Sequence, residues 1–192
     1  MDMTGEQRIP APKQVVWDAL NDVEALKASI PGCKEVEKKS DTEFSALVQI
    51  AVGPVKATFK GEVTLSNIDA PNGYTLAGQG TGGAAGFGKG SAEVTLREEN
   101  GETIVSYNAH ASVGGKLAQI GQRLIDSTAK KLTKQFFENF AAYITAQQGP
   151  AEDLKEEAAP AAAAATQGGG QFVFWGIIGA ALVILWIINH LQ

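Results

Sequence analysis

The stretch GQGTGGAAGFGKG, residues 78–90, is the part of this sequence whose residue types and spacing come closest to a chemical site. It holds seven glycines in thirteen residues. Gly78, Gly80 and Gly83 satisfy the G-x-G-x-x-G pattern of dinucleotide-binding loops. The second half satisfies most of the G-x-x-x-x-G-K-S/T pattern, until Gly90 stands where Ser or Thr would hold a magnesium ion. In both patterns, backbone N–H groups at a helix N-terminus bind phosphate.

The residues after this stretch argue against a phosphate site. SAEVTLRE, residues 91–98, alternates polar and apolar side chains as a strand does, whereas both patterns require a helix there. We therefore interpret the stretch as a connection between two strands, either a mobile turn or a gate beside a ligand site. In the gate hypothesis Phe87 meets a ligand or partner, and Lys89 meets a headgroup or an acidic partner surface. The candidate gate residues are Gly82, Gly83, Gly86, Phe87, Gly88 and Lys89.

The remaining residues that could do chemistry form no recognisable catalytic or metal-binding set. His110 alternates out of phase with the apolar residues of its strand, and His190 lies far away near the end of the sequence. Cys33 has no second cysteine to pair with, so we interpret it as a structural thiol. The acidic residues of the segment 18–24 are typical of a solvated helix face and its cap. We expect no catalytic residues, no metal and no covalent cofactor.

Length and charge predict one ordinary domain that does not bind nucleic acid. The chain has 192 residues, of which 44% are hydrophobic, and a formal net charge of -5. Fifteen basic and seventeen acidic side chains lie in residues 1–148, and no basic stripe is visible among them. Nucleic-acid-binding domains carry such a stripe, so this class of partner is excluded.

The last part of the sequence predicts a membrane anchor. FVFWGIIGAALVILWII, residues 172–188, is 17 residues long without a charge, and as a helix it would span about 25 Å. Trp175 and Trp186 stand near its two ends, where indoles favour the membrane interfaces. We predict a single transmembrane helix over 172–191 and a flexible linker rich in Ala, Pro and Gly over 147–171. The first residues lack an apolar signal segment, so we expect the domain on the cytoplasmic side of the cytoplasmic membrane.

Residues 1–146 show the periodicities of an α+β domain. A strand ends at Ile9, and two short helices follow before Pro31. About six antiparallel strands with alternating apolar residues come next, and residues 115–145 then change to a helical period. A helix of that length can bury its apolar stripe only by lying across a curved sheet. The two would enclose an elongated space, either filled or hollow.

Apolar side chains that alternate toward that space, together with those on the helix, are the candidate ligand-cavity residues. They are Val48, Ile50, Phe59, Val63, Leu65, Leu76, Phe87, Val94, Leu96, Tyr107, Leu117, Ile120, Leu124 and Phe136. The predicted helix stripe also includes Leu132, Phe140 and Tyr143.

Four ordered segments resemble a known family. They are VWDALNDVEALKASIPGCKEVE, VGPVKATFKGEV, GTGGAAGFGKGSAEV and VGGKLAQIGQRLIDSTAKKL, and they cover most of the predicted domain. The element order is similar to the START-like helix-grip fold of polyketide cyclases and lipid-transfer domains, and the segments resemble the CoxG family of carbon monoxide dehydrogenase components. The resemblance implies a partner: a carbon monoxide dehydrogenase or related molybdenum hydroxylase, which such proteins help to mature or hold at the membrane.

These observations favour one function and leave two others open. A tethered hollow domain without catalytic groups can shield an apolar molecule from water, since exposing each CH₂ costs about 0.8 kcal/mol. We therefore expect a carrier that recruits the dehydrogenase and binds membrane lipid or quinone, with menaquinone or ubiquinone as the carried ligand. A pure tether or maturation factor with a solid core is the alternative. A cyclase-like enzyme is disfavoured, because no acid–base pair is visible.

Overall fold

The computed structural model describes residues 1–148 as a seven-stranded sheet with four helices, which confirms the predicted α+β class and the order of its elements. The strands are β1 (Asp2–Ile9), β2 (Cys33–Lys38), β3 (Glu43–Val52), β4 (Val55–Asp69), β5 (Gly73–Thr81), β6 (Phe87–Glu99) and β7 (Glu102–Gly114). The helices are α1 (Lys13–Leu20), α2 (Val23–Ser29), α3 (Lys116–Gln119) and α4 (Gln122–Gln148).

The sheet is antiparallel throughout, with the spatial order β1-β7-β6-β5-β4-β3-β2. Strands β2 to β7 form a meander, and β1 returns to pair with β7. Alternation gives the sheet two faces. We call the face that carries apolar residues such as Phe59 and Val63 the inner face, and the face that carries Lys60 and Glu62 the outer face.

The buried core occupies one end of the domain, which we call the packed end. Helix α4 contributes Phe140, which is fully buried, and Ile144. Asn139 Nδ2 on α4 donates a hydrogen bond of 3.2 Å to the carbonyl of Ser29, the last residue of α2. Asp22 caps the start of α2, because its side chain accepts a hydrogen bond of 2.8 Å from the N–H of Ala25. The core residues of β1, α1 and the sheet are Ile9, Ala11, Val16, Leu20, Phe44, Leu65, Tyr74, Val94, Leu96 and Val105.

The C-terminal helix is broken, which corrects the prediction of one helix over residues 115–145. Gly121 has a φ of +101°, a left-handed conformation that ends α3 before α4 begins. The break also shifts the apolar stripe. Ile125, Phe137, Phe140 and Ile144 are the buried residues of α4, whereas the predicted Leu124 is 39% exposed.

Most of the glycine-rich stretch lies in strands, which corrects its interpretation as a loop. Residues 78–81 belong to β5 and residues 87–90 to β6, so that only 82–86 connect the two strands. Gly78 pairs with Gly90, and Gly80 pairs with Gly88. The strand predicted after the stretch is confirmed, and it stands where a phosphate site would need a helix. The connection itself is a short 3₁₀ turn, Gly83–Ala85.

The predicted anchor at 172–191 and all but the first two residues of the predicted linker lie outside the described residues. Within residues 1–148, none of the helices combines the length and apolar character needed to cross a bilayer.

Candidate ligand-binding interior

A row of glycines on the inner face leaves open space above the sheet. Gly61, Gly80 and Gly88 are aligned across three neighbouring strands. A Cβ placed on Gly61 would have only the carbonyl oxygens of Gln79 and Ala46 nearby, at 3.7 and 3.9 Å. Both oxygens belong to the adjacent strands of the same sheet. No side chain from α4 therefore packs on this part of the inner face.

The neighbouring sites in the row behave in the same way. A Cβ on Gly80 would lie 3.5 Å from the carbonyl oxygen of Lys60, and one on Gly88 would lie 3.8 Å from that of Ser112. The remaining neighbours within 4 Å also belong to adjacent strands. We call the region above these three glycines the open interior.

Apolar side chains and two turns surround the open interior. Val48 and Ile50 on β3 point to the inner face and are half-buried, unlike the core residues of the packed end. The ring of Phe59 lies against the β5–β6 connection, because a Cβ on Gly82 would be only 2.6 Å from it. Similarly, a Cβ on Gly53 would lie 2.7 Å from Leu124 Cδ2, so the β3–β4 turn contacts the start of α4.

An aromatic cluster connects α4 with the sheet at the border of the packed end. The rings of Tyr107 and Phe137 stack with centroids 5.7 Å apart. Phe136 stacks on Phe140 at 5.7 Å and meets Phe137 edge to face at 5.2 Å. Aromatic pairs of this kind contribute about 0.5–1.5 kcal/mol beyond their burial.

The structure divides the predicted cavity residues among these regions. Leu65, Val94 and Leu96 belong to the buried core, and four further residues pack partly against it: Val63, Leu76, Tyr107 and Phe136. The half-buried residues beyond this core are Val48, Ile50, Phe59 and Ile120, while Leu117 is buried. Ala85, Ile125, Phe137 and Ile144 are buried residues that the sequence analysis missed. The helical spacing 137-140-144 is the signal that would have found Phe137 and Ile144.

Phe87 lies on the outer face, opposite to its predicted place in the cavity. It pairs with Thr81 and Gly114, and Gly88 is the first residue of β6 that faces inward. Strand alternation begins at Phe87, so its side chain shares a face with Lys89. The other predicted gate residues, Gly82, Gly83 and Gly86, form the turn beside Phe59.

A groove opens between β1 and α4 at the edge of the sheet. It has a volume of about 380 Å³. Gln7 and Tyr107 line it from the sheet, and Lys130, Thr133 and Lys134 line it from α4. The groove therefore brings cationic side chains close to the aromatic ring of Tyr107.

The buried polar side chains of the described residues are all bonded within the protein. Ser29 Oγ donates to the carbonyl of Ala25 at 2.6 Å, and Thr103 Oγ1 donates to that of Ala11 at 2.7 Å. Burial raises the pKa of Tyr74 to about 12, so its hydroxyl stays protonated at neutral pH. The interior thus favours ligands that are recognised by apolar contact.

The sequence-predicted titratable residues lie apart from the interior. His110 points to the outer face, as predicted, and its ring Nδ1 hydrogen-bonds Asp2, which lowers the pKa of that carboxyl group. Cys33 begins β2 rather than lying in a loop, and burial raises the pKa of its thiol. Within residues 1–148, His, Cys, Asp and Glu form no cluster of three that could hold a metal ion.

Comparison with known proteins places this arrangement in a family. Residues 5–145 match the family model of CoxG, a component of carbon monoxide dehydrogenase. The chain belongs to the CoxG family. The match covers the sheet and nearly all of α4, and it confirms the family resemblance of the four sequence segments. No curated protein matches the chain.

Solved structures agree with this assignment at the level of the fold. A conserved protein from Geobacillus kaustophilus is 30% identical with a TM-score of 0.70, covering 75% of this chain and 95% of that one. A START superfamily protein from Mycobacterium smegmatis is 9% identical with a TM-score of 0.57, covering 74% and 96%. The Zhui aromatase/cyclase from Streptomyces sp. R1128 is 12% identical with a TM-score of 0.53, covering 75% and 93%. At these identities the last two show only that this CoxG protein shares the START-like fold.

Proposed function

We propose that this protein is a non-catalytic accessory protein of a carbon monoxide dehydrogenase, a molybdenum hydroxylase, and that it binds an apolar ligand in the open interior. The family description supports the partner. The ligand is supported by one observation above all: no described side chain from outside the sheet packs on the inner face at Gly61, Gly80 and Gly88. A solid tether would fill that region, because protein interiors are packed at the density of organic crystals.

We propose respiratory quinone, menaquinone or ubiquinone, as the ligand. A dehydrogenase that passes electrons to a membrane quinone must bring an isoprenoid molecule out of the bilayer. Exposing the tail to water costs about 0.8 kcal/mol for each CH₂ group. An interior walled by Val48, Ile50 and Phe59 would avoid that cost.

We also propose that the protein is held at the cytoplasmic membrane by the apolar segment 172–188. The segment carries no charge, so the free energy of inserting it into a bilayer is favourable. Domain and dehydrogenase would then meet on the cytoplasmic side, within reach of the quinone pool.

The test compares two variants of the full chain purified from carbonate-washed membranes. Gly61→Leu places a side chain in the open interior, while Gln79→Leu places the same side chain on the outer face of the neighbouring strand. Quinone is extracted from each purified protein and quantified by chromatography. We expect wild type and Gln79→Leu to retain quinone, and Gly61→Leu to lose most of it with an unchanged circular dichroism spectrum.

Two results would contradict the proposal. If wild type is reproducibly free of quinone and other lipid, the protein is a tether or maturation factor. If Gly61→Leu unfolds, the interior is packed, because overpacking a filled core costs about 1–3 kcal/mol. Loss of the protein from carbonate-washed membranes would refute the anchor alone.

A further inference from the structure

Phe87 is an aromatic residue exposed on a polar surface. It is 51% exposed, more than any other large hydrophobic residue of the described chain. Its neighbours on the outer face are polar or small: Lys60, Glu62, Ala77, Gln79, Thr81, Lys89 and Ser91. Exposed aromatic residues surrounded by polar ones are typical of the centres of protein interfaces.

The ring of Phe87 has a fixed position. It lies over Gly114 on β7, where any Cβ would overlap the ring. The turn before it is also constrained, because Gly86 has a φ of +115° and a Cβ there would collide with the carbonyl of Gly114. One side of the ring therefore rests on the backbone, while about half of the side chain stays exposed. Such a fixed ring loses little conformational freedom on binding.

Two lysines without ion pairs among the described residues stand beside this ring. Lys60 and Lys89 line a recess of about 410 Å³ together with Phe87. Neither forms an ion pair with another residue of the described chain. By contrast, Arg8 and Arg97 on the same face are paired with carboxylates of their own sheet. The two ammonium groups can therefore meet carboxylates of a partner.

A second recess extends this surface across the sheet. It has a volume of about 620 Å³ and a floor of small residues that includes Ala77, Gly90 and Ser91. A protruding side chain of a partner could enter there. The carboxylate of Glu62 lines both recesses, which disfavours an anionic bilayer as the occupant and favours a protein surface.

We propose that the patch formed by Lys60, Thr81, Phe87 and Lys89, the Phe87 patch, docks the carbon monoxide dehydrogenase. The dehydrogenase meets it with an apolar pocket rimmed by carboxylates. Docking on the outer face leaves the open interior accessible from the other side of the sheet. This inference rests on the proposed function, because it names the surface through which the accessory protein holds its partner.

The test measures binding of the full chain to purified carbon monoxide dehydrogenase of the same organism by biolayer interferometry. Phe87→Ser removes the ring, and the double variant Lys60→Glu/Lys89→Glu reverses the charges while keeping it. Ile68→Ser is the matched control, since Ile68 is 46% exposed and lies eight residues from Lys60, about 26 Å along β4. We expect at least about tenfold weaker binding for Phe87→Ser and for the double variant, and an unchanged affinity for Ile68→Ser.

The outcomes separate this inference from the proposed function. If wild type binds and both patch variants bind equally well, the docking surface is wrong and the proposed function stands. If wild type does not bind, both fail. If only Phe87→Ser weakens binding and its melting temperature also falls, the ring is structural and the inference is overturned. A loss of binding to anionic vesicles, with dehydrogenase binding retained, would assign the patch to the membrane instead.

Discussion

Glu6 on β1 is the acceptor of two hydrogen bonds that cross the outer face. Arg97 Nη1 and Ser106 Oγ both donate to its Oε1 at 2.9 Å. The hydrogen bond from Arg97, then that from Ser106, lowers the pKa of the Glu6 carboxyl group below its usual value of 4.5. The folded state therefore favours the ionised form of Glu6 more than the unfolded chain does.

We predict that Glu6→Gln lowers the melting temperature slightly at neutral pH and not in acid. A lowered pKa contributes stability above the unfolded value of 4.5, and this contribution is lost as the pH falls through the folded pKa. The pair is exposed, so the effect is small. Differential scanning calorimetry at pH 7 and below pH 4 measures the gap. Glu93→Gln on β6, whose carboxylate forms no ion pair with a described residue, should show none; a gap that persists in acid would contradict this account.

Helix α4 combines a buried end with a more exposed beginning. Phe140 is fully buried and stacks on Phe136, whereas Leu124 is 39% exposed beside the β3–β4 turn. The free energy of unfolding should depend strongly on Phe140 and weakly on Leu124.

We predict that Phe140→Ala lowers the free energy of unfolding by about 3–5 kcal/mol, because it removes a buried ring and leaves a cavity. Leu124→Ala should cost no more than about 1 kcal/mol, since less apolar area leaves water there. Urea unfolding followed by circular dichroism measures both. Equal costs would mean that the beginning of α4 is packed as tightly as its end, which the open interior does not allow.

The elements could be predicted from the sequence where a period is regular. Alternation in β3 and β4 identified the strands and the inward residues Ile50 and Phe59. The break at Gly121 could not be predicted, because Leu117, Ile120 and Leu124 keep a helical spacing across it. Glycines 78 to 90 resembled a loop because their pairing across β5 and β6 is a property of the register.

The candidate site was predictable only in part for a related reason. The apolar walls follow from strand alternation, but open space above Gly61 depends on what α4 does not reach. A sequence specifies which side chains face inward and not how far apart two layers stand. Phe87 illustrates the same limit, since one residue of offset at the start of β6 moves a side chain to the other face.

At the scale of the whole molecule, stability and ligand capacity lie at different ends of the domain. The packed end holds the aromatic cluster and the fully buried residues Ile9, Val16 and Phe140. The open interior contributes little packing of its own around the glycine row. Variants that fill it should therefore leave the fold intact, and a bound ligand should add stability to the folded state.

We predict that a menaquinone analogue with a short isoprenoid tail raises the melting temperature of ligand-depleted protein. A ligand at about one hundred times its Kd stabilises the folded state by about 2.7 kcal/mol. For a chain of this size each kcal/mol corresponds to about 2–4 °C, so the expected rise is roughly 5–10 °C. Differential scanning fluorimetry of the full chain in mild detergent measures it.

Two controls identify where the stabilisation arises. Gly61→Leu should show no rise, because its side chain occupies the region that the isoprenoid tail would fill. Menadione, which has the quinone ring without a tail, should give a much smaller rise with wild type, since most of the apolar area that the interior could bury lies in the tail. An equal rise for wild type and Gly61→Leu would place the ligand elsewhere, and the groove lined by Lys130 and Lys134 would then be the site to examine next.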